Sequence, residues 1–504
     1  MANQVGVRLT RGTVGPIAIG PDPGDKLFCA VLAERGPANK LVLCSSFAQF
    51  TGLFGGATPR TARTSFSAGY ETISDWFTLG GGSVVVLRIV GEATKATIDL
   101  LDRKAVDPIK VFTVNSKGPG TAYNAVNAVI SAGTRALTFK LTVTNDAGVT
   151  LERFDNLLSN GESAQLVSAQ SLWVDLVYDA TNDTASPDDL PALGTFSLAG
   201  GTDDNDPTAA EIVGTVTGSV RTGLKTLRTN LYRRGILLAP DLDSDALVVA
   251  EMKALGLPFN RVTFTSAQEG ATLATAATQR GAWDDPGVAF YFPRKEMLDA
   301  YDKGLKTVPL VGQVAAHWMR EIAQKGQGKP PAGPGFLITG RIERTAQGDP
   351  LIEQEDADQL VAQGVNPIWD RDGLGSKVWG AVAATSEPAW RSISAAYIYC
   401  VIGDALYTTL NQQVFEVFTP DKFDELYMGV YRFLSDMHRD GAFFGLLPSP
   451  MSVPNAENDA FAVLTGTSIL SPQDIANKII RVKVWFKEAL SGETIEVEIA
   501  KQTA

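Results

Sequence analysis

Asp241, Asp243 and Asp245 stand at two-residue spacing just after the apolar run Ile236-Leu237-Leu238-Ala239. Carboxylates at the carboxyl end of a parallel strand are where an α/β protein would hold a cation or another ligand. A calcium loop of the EF-hand type needs glycine at its sixth position and glutamate at its twelfth, and here those places hold Ala246 and Met252. The other reading is a strand end followed by helix caps, since aspartate accepts well from the first free N–H groups of a helix. Asp370-Arg371-Asp372-Gly373 has the composition of a turn. His317, in Ala316-His317-Trp318-Met319-Arg320, lacks the HExxH spacing of a zinc site and reads as a helical packing or surface residue; His438 is the only other histidine. Gly80-Gly81-Gly82 follow a helix and precede a strand. That is the reverse of a phosphate loop, in which a helix amino terminus faces the anion, so they read as a helix stop and turn. Neither a GxSxG elbow nor a GxxxxGK[ST] loop occurs. Cys29, Cys44 and Cys400 have no CxxC spacing and read as small apolar residues, the alternative being a disulfide between subunits in an oxidising exterior. The expectation is no catalytic, cofactor-binding or metal-ligating residue, no cofactor, and no enzymatic activity.

The charge balance points the same way. A net charge of −12, from 44 basic and 56 acidic residues without a lysine or arginine cluster, argues against a direct grip on nucleic-acid phosphates. With 504 residues, 44% hydrophobic and 20% charged, the chain has room for about three or four domains with real cores. Met1–Gly12 has no apolar stretch followed by small residues, and the longest apolar stretch, Ile393–Ile402, is too short for a bilayer span. These features predict a chain made soluble in the cytoplasm, without membrane insertion.

The elements follow from periodicity. Val5, Val7 and Leu9 alternate with polar or small residues and lead into a Gly/Pro-rich stretch, which predicts an extended strand on an arm. Phe66, Tyr70, Ile73 and Phe77 mark a helix face, and Val84–Val90 reads as a strand buried on both faces. From Ile109 to Gly201 short alternating strands dominate; Leu137, Phe139, Leu141 and Val143 with the turn Asn145–Gly148 predict a hairpin. Ile212, Val213, Val216, Val220, Leu224, Leu227 and Leu231 predict a long helix. Beyond it strands at Ile236–Ala239, Val262–Phe264 and Val288–Phe292 alternate with helices, the pattern of parallel strands with crossover helices. Two strong helices, about Trp390–Leu410 and Pro420–Gly441, precede two terminal strands, the second carrying Ile495, Val497 and Ile499.

Several segments, in order, resemble the tail sheath proteins of contractile phages and related injection machines. They are Tyr70–Gly91, Gly118–Asn124, Leu198–Thr202, Tyr291-Phe292-Pro293, Val308-Pro309, Val314-Ala315-Ala316, Lys329–Pro334, Gly364–Ile368, Val378–Ala381 and Trp390-Arg391. The chain departs from the family's basic residues after the Trp-Gly-Ala and tryptophan-helix segments, where it has Val382-Ala383 and Ala395-Ala396-Tyr397.

The resemblance implies a multi-domain α/β fold: an α/β sheath core built from N-terminal, middle and C-terminal segments, with an inserted mostly-β domain and extended strand-like terminal arms. The expected segments are an arm at 1–24, core at 25–105, β insertion at 106–201, middle α/β domain at 202–355, C-terminal core at 356–490 and a terminal strand at 491–504. It also implies a homo-oligomer of stacked rings around an inner tail tube, with baseplate and tail terminator proteins as partners, located in a virion tail. Val5, Val7, Leu9, Ile495, Val497 and Ile499 would be inter-subunit strands. Lys422, Glu425, Arg432 and Arg439 would face the tube or form an ordinary solvated helix face. A non-contractile self-assembling protein and an α/β ligand-binding enzyme with a β insertion are the alternative readings.

Overall fold

The computed structural model describes residues 25–57, 68–179, 187–203, 206–229, 232–299, 304–345, 348–371, 375–452, 455 and 457–489. The strand-like stretches at Val5, Val7 and Leu9 and at Ile495, Val497 and Ile499 lie outside the described residues, as do Phe66 and Leu231. The chain divides into two compact units, a larger one of Asp25–Arg320 with Pro331–Ile393 and a smaller one that includes Glu321–Pro330 and the residues from Ser394 on.

The larger unit opens with β1 (Lys26–Val31), β2 (Leu41–Cys44), α1 (Phe47–Phe54), α2 (Gly69–Thr78) and β3 (Val84–Arg88). The continuous apolar run Val84–Leu87 is wholly buried because β3 is hydrogen-bonded between β1 and β2 and packed on both faces. A β-rich block follows: β4 (Lys95–Leu101), β5 (Lys110–Pro119), β6 (Val126–Ala132), β7 (Phe139–Asn145), β8 (Thr150–Leu157), α3 (Gly161–Gln170), β9 (Val174–Tyr178) and β10 (Gly194–Ser197). These strands make two antiparallel sheets, β4-β5-β9 and β10-β6-β7-β8, which share a core containing Phe112, Tyr123 and Phe139. In β7 the expected alternation holds for Phe139, Leu141 and Val143, which are buried, but Leu137 lies before the strand at φ +59° and is exposed. The block begins one strand before Ile109, since Lys95–Leu101 pairs antiparallel with β5.

The chain then returns to the first sheet through α4 (Ala209–Val213), β11 (Val216–Thr217), β12 (Val220–Arg221), β13 (Gly235–Leu238), α5 (Ala246–Leu255), β14 (Arg261–Ser266), α6 (Leu273–Gly281) and β15 (Val288–Phe292). It continues through β16 (Lys295–Leu298), β17 (Leu305–Val308), α7 (Val311–Lys325), β18 (Arg341–Ile342), α8 (Gln354–Ala362), β19 (Val365–Arg371) and β20 (Gly375–Val378). The main sheet has eight strands in the order β2-β3-β1-β13-β14-β15-β19-β20, parallel from β3 to β19 and antiparallel at both edges. Strands far apart in sequence meet at its centre, where Lys26 pairs with Gly235. Only glycine fits there: Gly235 has φ +153°, and a Cβ would lie 1.9 Å from the Lys26 carbonyl oxygen. Residues of β13, β14 and β15 are buried throughout, and Leu237 of β13 with Val288, Phe290 and Phe292 of β15 packs with α5, α6 and α8 in one core. Buried Arg88 fastens the β-rich block to this sheet by donating to the carbonyls of Gly36 (2.8 Å), Pro119 (2.8 Å) and Ala33 (3.0 Å).

One expectation is corrected. The stripe beginning at Ile212 is not a long helix: α4 ends at Gly214, and the hairpin β11–β12 and a short 3₁₀ turn at Gly223–Leu227 follow. Gly214, at φ +78°, packs so closely on Thr222 that a Cβ would lie 2.0 Å from its carbonyl oxygen, and the β-branched residues after it favour extended backbone. Ile212, Leu224 and Leu227 still reach the core, so the apolar spacing survives without a helix.

The smaller unit is built on α9 (Ile393–Leu410), α10 (Pro420–Arg439), β21 (Phe461–Leu464), α11 (Pro472–Ala476) and β22 (Lys483–Phe486). The apolar stretch read as Ile393–Ile402 extends into a helix long and apolar enough by length and composition to cross a membrane, with 67% of its apolar window buried inside the protein.

Candidate functional site

The smaller unit carries the two-stranded sheet β21–β22, flanked at one end by segment 442–446, whose backbone bonds to Asn458, Ala460, Lys487 and Ala489. α10 starts cleanly because the Thr419 side chain accepts from the Lys422 N–H (3.3 Å) and Pro420 occupies the first turn. Its inner face buries Phe423, Leu426, Val430, Leu434 and Met437, and Tyr431 packs on Phe461 of β21 with ring centroids 5.6 Å apart. β21 and β22 pair antiparallel, Phe461 opposite Phe486 and Val463 opposite Val484 on one face, Ala462 opposite Trp485 and Leu464 opposite Lys483 on the other. Among the described residues neither strand has a further strand beside it. A cleft of about 480 Å³ runs along this pair, lined by Phe461, Leu464, Trp485 and Phe486 among others. Trp485 is 50% exposed, unusual for so large an apolar side chain. An unpaired edge offers backbone N–H and C=O groups to an incoming strand, and the apolar cleft offers its side chains a seat. Sequence reading did not single out Trp485; the signal available was the β-prone run Val484-Trp485-Phe486.

The four charged residues expected on α10 do not form one cluster. Lys422 and Glu425 pair with each other at 3.6 Å, and Arg439 pairs with Asp436, while Arg432 is exposed. Asp421, Asp424, Asp436 and Asp440 share the exposed surface, so this face mixes both signs. Just before the helix, Val414, Phe415 and Val417 are exposed, an apolar stretch that the sequence reading also passed over.

The other candidates have structural partners. Asp241 forms an ion pair with Arg294 at 2.6 Å, Asp243 accepts from the Thr265 hydroxyl at 2.5 Å, and Asp245 caps α5 by accepting from the Leu247 N–H at 2.8 Å. These are the strand-end and helix-cap roles. Among the described residues no group of three or more His, Cys, Asp or Glu side chains could hold a metal ion. Asp370 and Arg371 end β19, paired with Ser376 and Gly375 of β20 across the connection. His317 is buried against Phe336 with its Nδ1 2.7 Å from the Arg320 guanidinium. All three cysteines are buried and outside any disulfide, and burial pushes the Cys44 thiol up to about 11, away from the reactive thiolate.

Burial pushes the Asp243 carboxyl up to about 6. The folded protein therefore keeps a proton that the unfolded chain releases near its ordinary value. That contribution to stability is full below the unfolded value and is lost as pH rises through about 6. Asp243→Asn is expected to stabilise the chain by about 1–3 kcal/mol at pH 8 and to change little at pH 4, measured by thermal melting at both pH values. An equal effect at both would contradict this assignment.

The fold is similar to that of sheath proteins of contractile tails and contractile injection systems, in line with the resemblance read from the sequence. The sheath complex of the PVC extracellular contractile injection system in its contracted state superposes with a TM-score of 0.57 at 12% identity, covering 100% of this chain and 98% of that one. A sheath tail protein from Listeria innocua gives a TM-score of 0.57 at 13% identity over 88% of this chain and 89% of its own. The anti-feeding prophage helical sheath in its contracted state gives 0.55 at 15% identity, covering 100% of both chains. In sequence the chain is similar to the tail sheath protein of Burkholderia phage BcepMu, 26% identical over 223 residues. That match covers 42% of this chain and 45% of the relative, so the chain spans less than half the length of the curated relative it matches. No family model matches the chain.

Proposed function

We propose that this chain is the structural subunit of a contractile tail sheath. It polymerises helically around an inner tail tube in a metastable extended state and contracts to drive the tube through a host envelope. The observation that carries this reading is the end-to-end likeness of the fold to contracted sheaths. The role is mechanical rather than enzymatic. Its partners are other copies of itself in stacked rings, the tube protein, and baseplate and tail terminator proteins, within a virion tail.

The open β21–β22 pair supports a specific way of joining subunits. The segment with Val5, Val7 and Leu9 and the segment with Ile495, Val497 and Ile499 act as donor strands to neighbouring copies, each adding to an open edge. Such contacts are heterologous, so they propagate into a helical array instead of closing a dimer. At about 0.5–1.5 kcal/mol net per hydrogen bond, an arm making about four bonds contributes a few kcal/mol, enough to matter when repeated. Storage of the extended form is kinetic, a second packing held behind a barrier. The charged face of α10, with Lys422, Glu425, Arg432 and Arg439, is placed toward the tube.

The test is sedimentation of the full chain, alone and co-expressed with a candidate inner tube protein. The chain is expected to pellet as polymer in at least the second case and to retain the tube protein in the pellet. A chain that stays wholly in the supernatant in both would overturn the reading.

A further inference from the structure

A polar cleft of about 480 Å³ in the larger unit is lined by Arg280, Gln363, Gly364, Thr385, Ser386 and Arg391, where the end of α6 meets the end of α8. Arg280 lies flat against the chain: a Cβ on Gly364 would sit 2.7 Å from its Nε. That Nε is buried and has no hydrogen-bond partner. Arg391 donates to the Val361 carbonyl at 2.8 Å. Among the described residues neither guanidinium is paired with a carboxylate. Asp284 is near enough for Arg280 to lower its pKa, but its oxygens are held by the Ser386 N–H (2.6 Å) and hydroxyl (2.8 Å). Two guanidiniums with unused donors around a cavity form a carboxylate-binding geometry, because each presents a planar fork that matches the two oxygens.

The complementary charge stands at the other end of α8. Glu355 and Asp358 lie three residues apart, are exposed, and have no ion-pair partner among the described residues. Glu353 and Asp356 are occupied by the capping box at the start of the helix. From Glu355 to Gln363 the backbone advances about 12 Å along a rigid element, and neither acid forms an ion pair with Arg280 or Arg391 of its own copy. A contact between unlike faces of two copies brings the two ends together.

We propose that the Arg280–Arg391 cleft receives Glu355 and Asp358 of a second copy of this chain, a head-to-tail contact along α8 between sheath subunits. The inference rests on the sheath reading, and the experiment separates the two. One chain carries Arg280→Glu with Arg391→Glu; a second carries Glu355→Arg with Asp358→Arg. Each alone sets like charges against each other, and each is expected to yield at least about tenfold less sedimenting polymer than wild type at equal concentration. An equimolar mixture places opposite charges at every contact and is expected to restore polymer, which also shows that both variants fold. Polymer at the wild-type level from either variant alone would overturn this contact and leave the sheath reading standing. So would a mixture that fails to recover while both variants melt like wild type. Should either variant fail to fold, the neutral pair Arg280→Gln with Arg391→Gln takes its place: reduced polymer with weakened salt dependence supports the contact, and unchanged polymer overturns it. A wild-type chain that forms no polymer either alone or with the inner tube protein overturns both readings.

Discussion

A chain lacking residues 1–20 is expected to melt like the full-length protein and yet to form no polymer. The segment removed contains Val5, Val7 and Leu9, the alternating residues of one proposed donor strand. The proposed receiving surface is the β21–β22 pair, whose four-residue strands have no further strand beside them among the described residues and border a cleft lined by Trp485 and Phe486. Losing an arm that contributes about 3 kcal/mol weakens each contact by roughly a hundredfold, and every subunit loses it at once. Assembly, which multiplies that contact along the polymer, is therefore expected to disappear over ordinary working concentrations, measured by sedimentation beside the wild type. Trp485→Asp, which leaves both arms in place and puts a charge in the cleft, is expected to act in the same direction. Normal tubes from the truncated chain would remove the donor-strand proposal.

Lys306→Met is expected to destabilise the larger unit by about 3–5 kcal/mol, the cost of leaving buried carboxylates without their cation. Lys306 on β17 is 3% exposed, Glu71 on α2 is 5% and Asp299 is 5%. Its ammonium lies 2.5 Å from Glu71 and 3.4 Å from Asp299. Lys295 of β16 reaches Asp75, one turn beyond Glu71 on the same face of α2, so two lysines from neighbouring strands hold one helix. Removing both charges together is different from removing one. Lys306→Met combined with Glu71→Leu and Asp299→Leu replaces the group with apolar side chains and is expected to recover much of the loss. Chemical unfolding followed through Trp76, a buried residue on α2, reads the unit that contains the group. A change below about 0.5 kcal/mol for Lys306→Met would mean that the lysine is solvated in solution.

The strands of the main sheet were legible because burial on both faces leaves continuous apolar runs such as Val84–Leu87 and Val288–Phe292. The hairpin between β7 and β8 was legible because half-burial imposes alternation and Gly148 supplies the turn. The order of the strands was not, since β1 and β13 become neighbours across the whole β-rich block and no local pattern records that pairing. The false helix at Ile212 came from spacing alone. Apolar residues three or four apart also arise when a short helix, a hairpin and a 3₁₀ turn each present one side to the core. Ion pairs and the arginine cleft were invisible for the same reason as strand order: Lys306 and Glu71 are 235 positions apart, and Arg280 and Arg391 meet at one cavity from separate segments.

The most direct measurement is electron microscopy of negatively stained full-length chain, purified alone and co-expressed with a candidate inner tube protein. Hollow helical tubes wide enough to enclose an inner tube, occurring in a longer and a shorter, wider form, are the expected result. Dispersed particles in both preparations, or flat sheets and closed rings without helical growth, would contradict the sheath account.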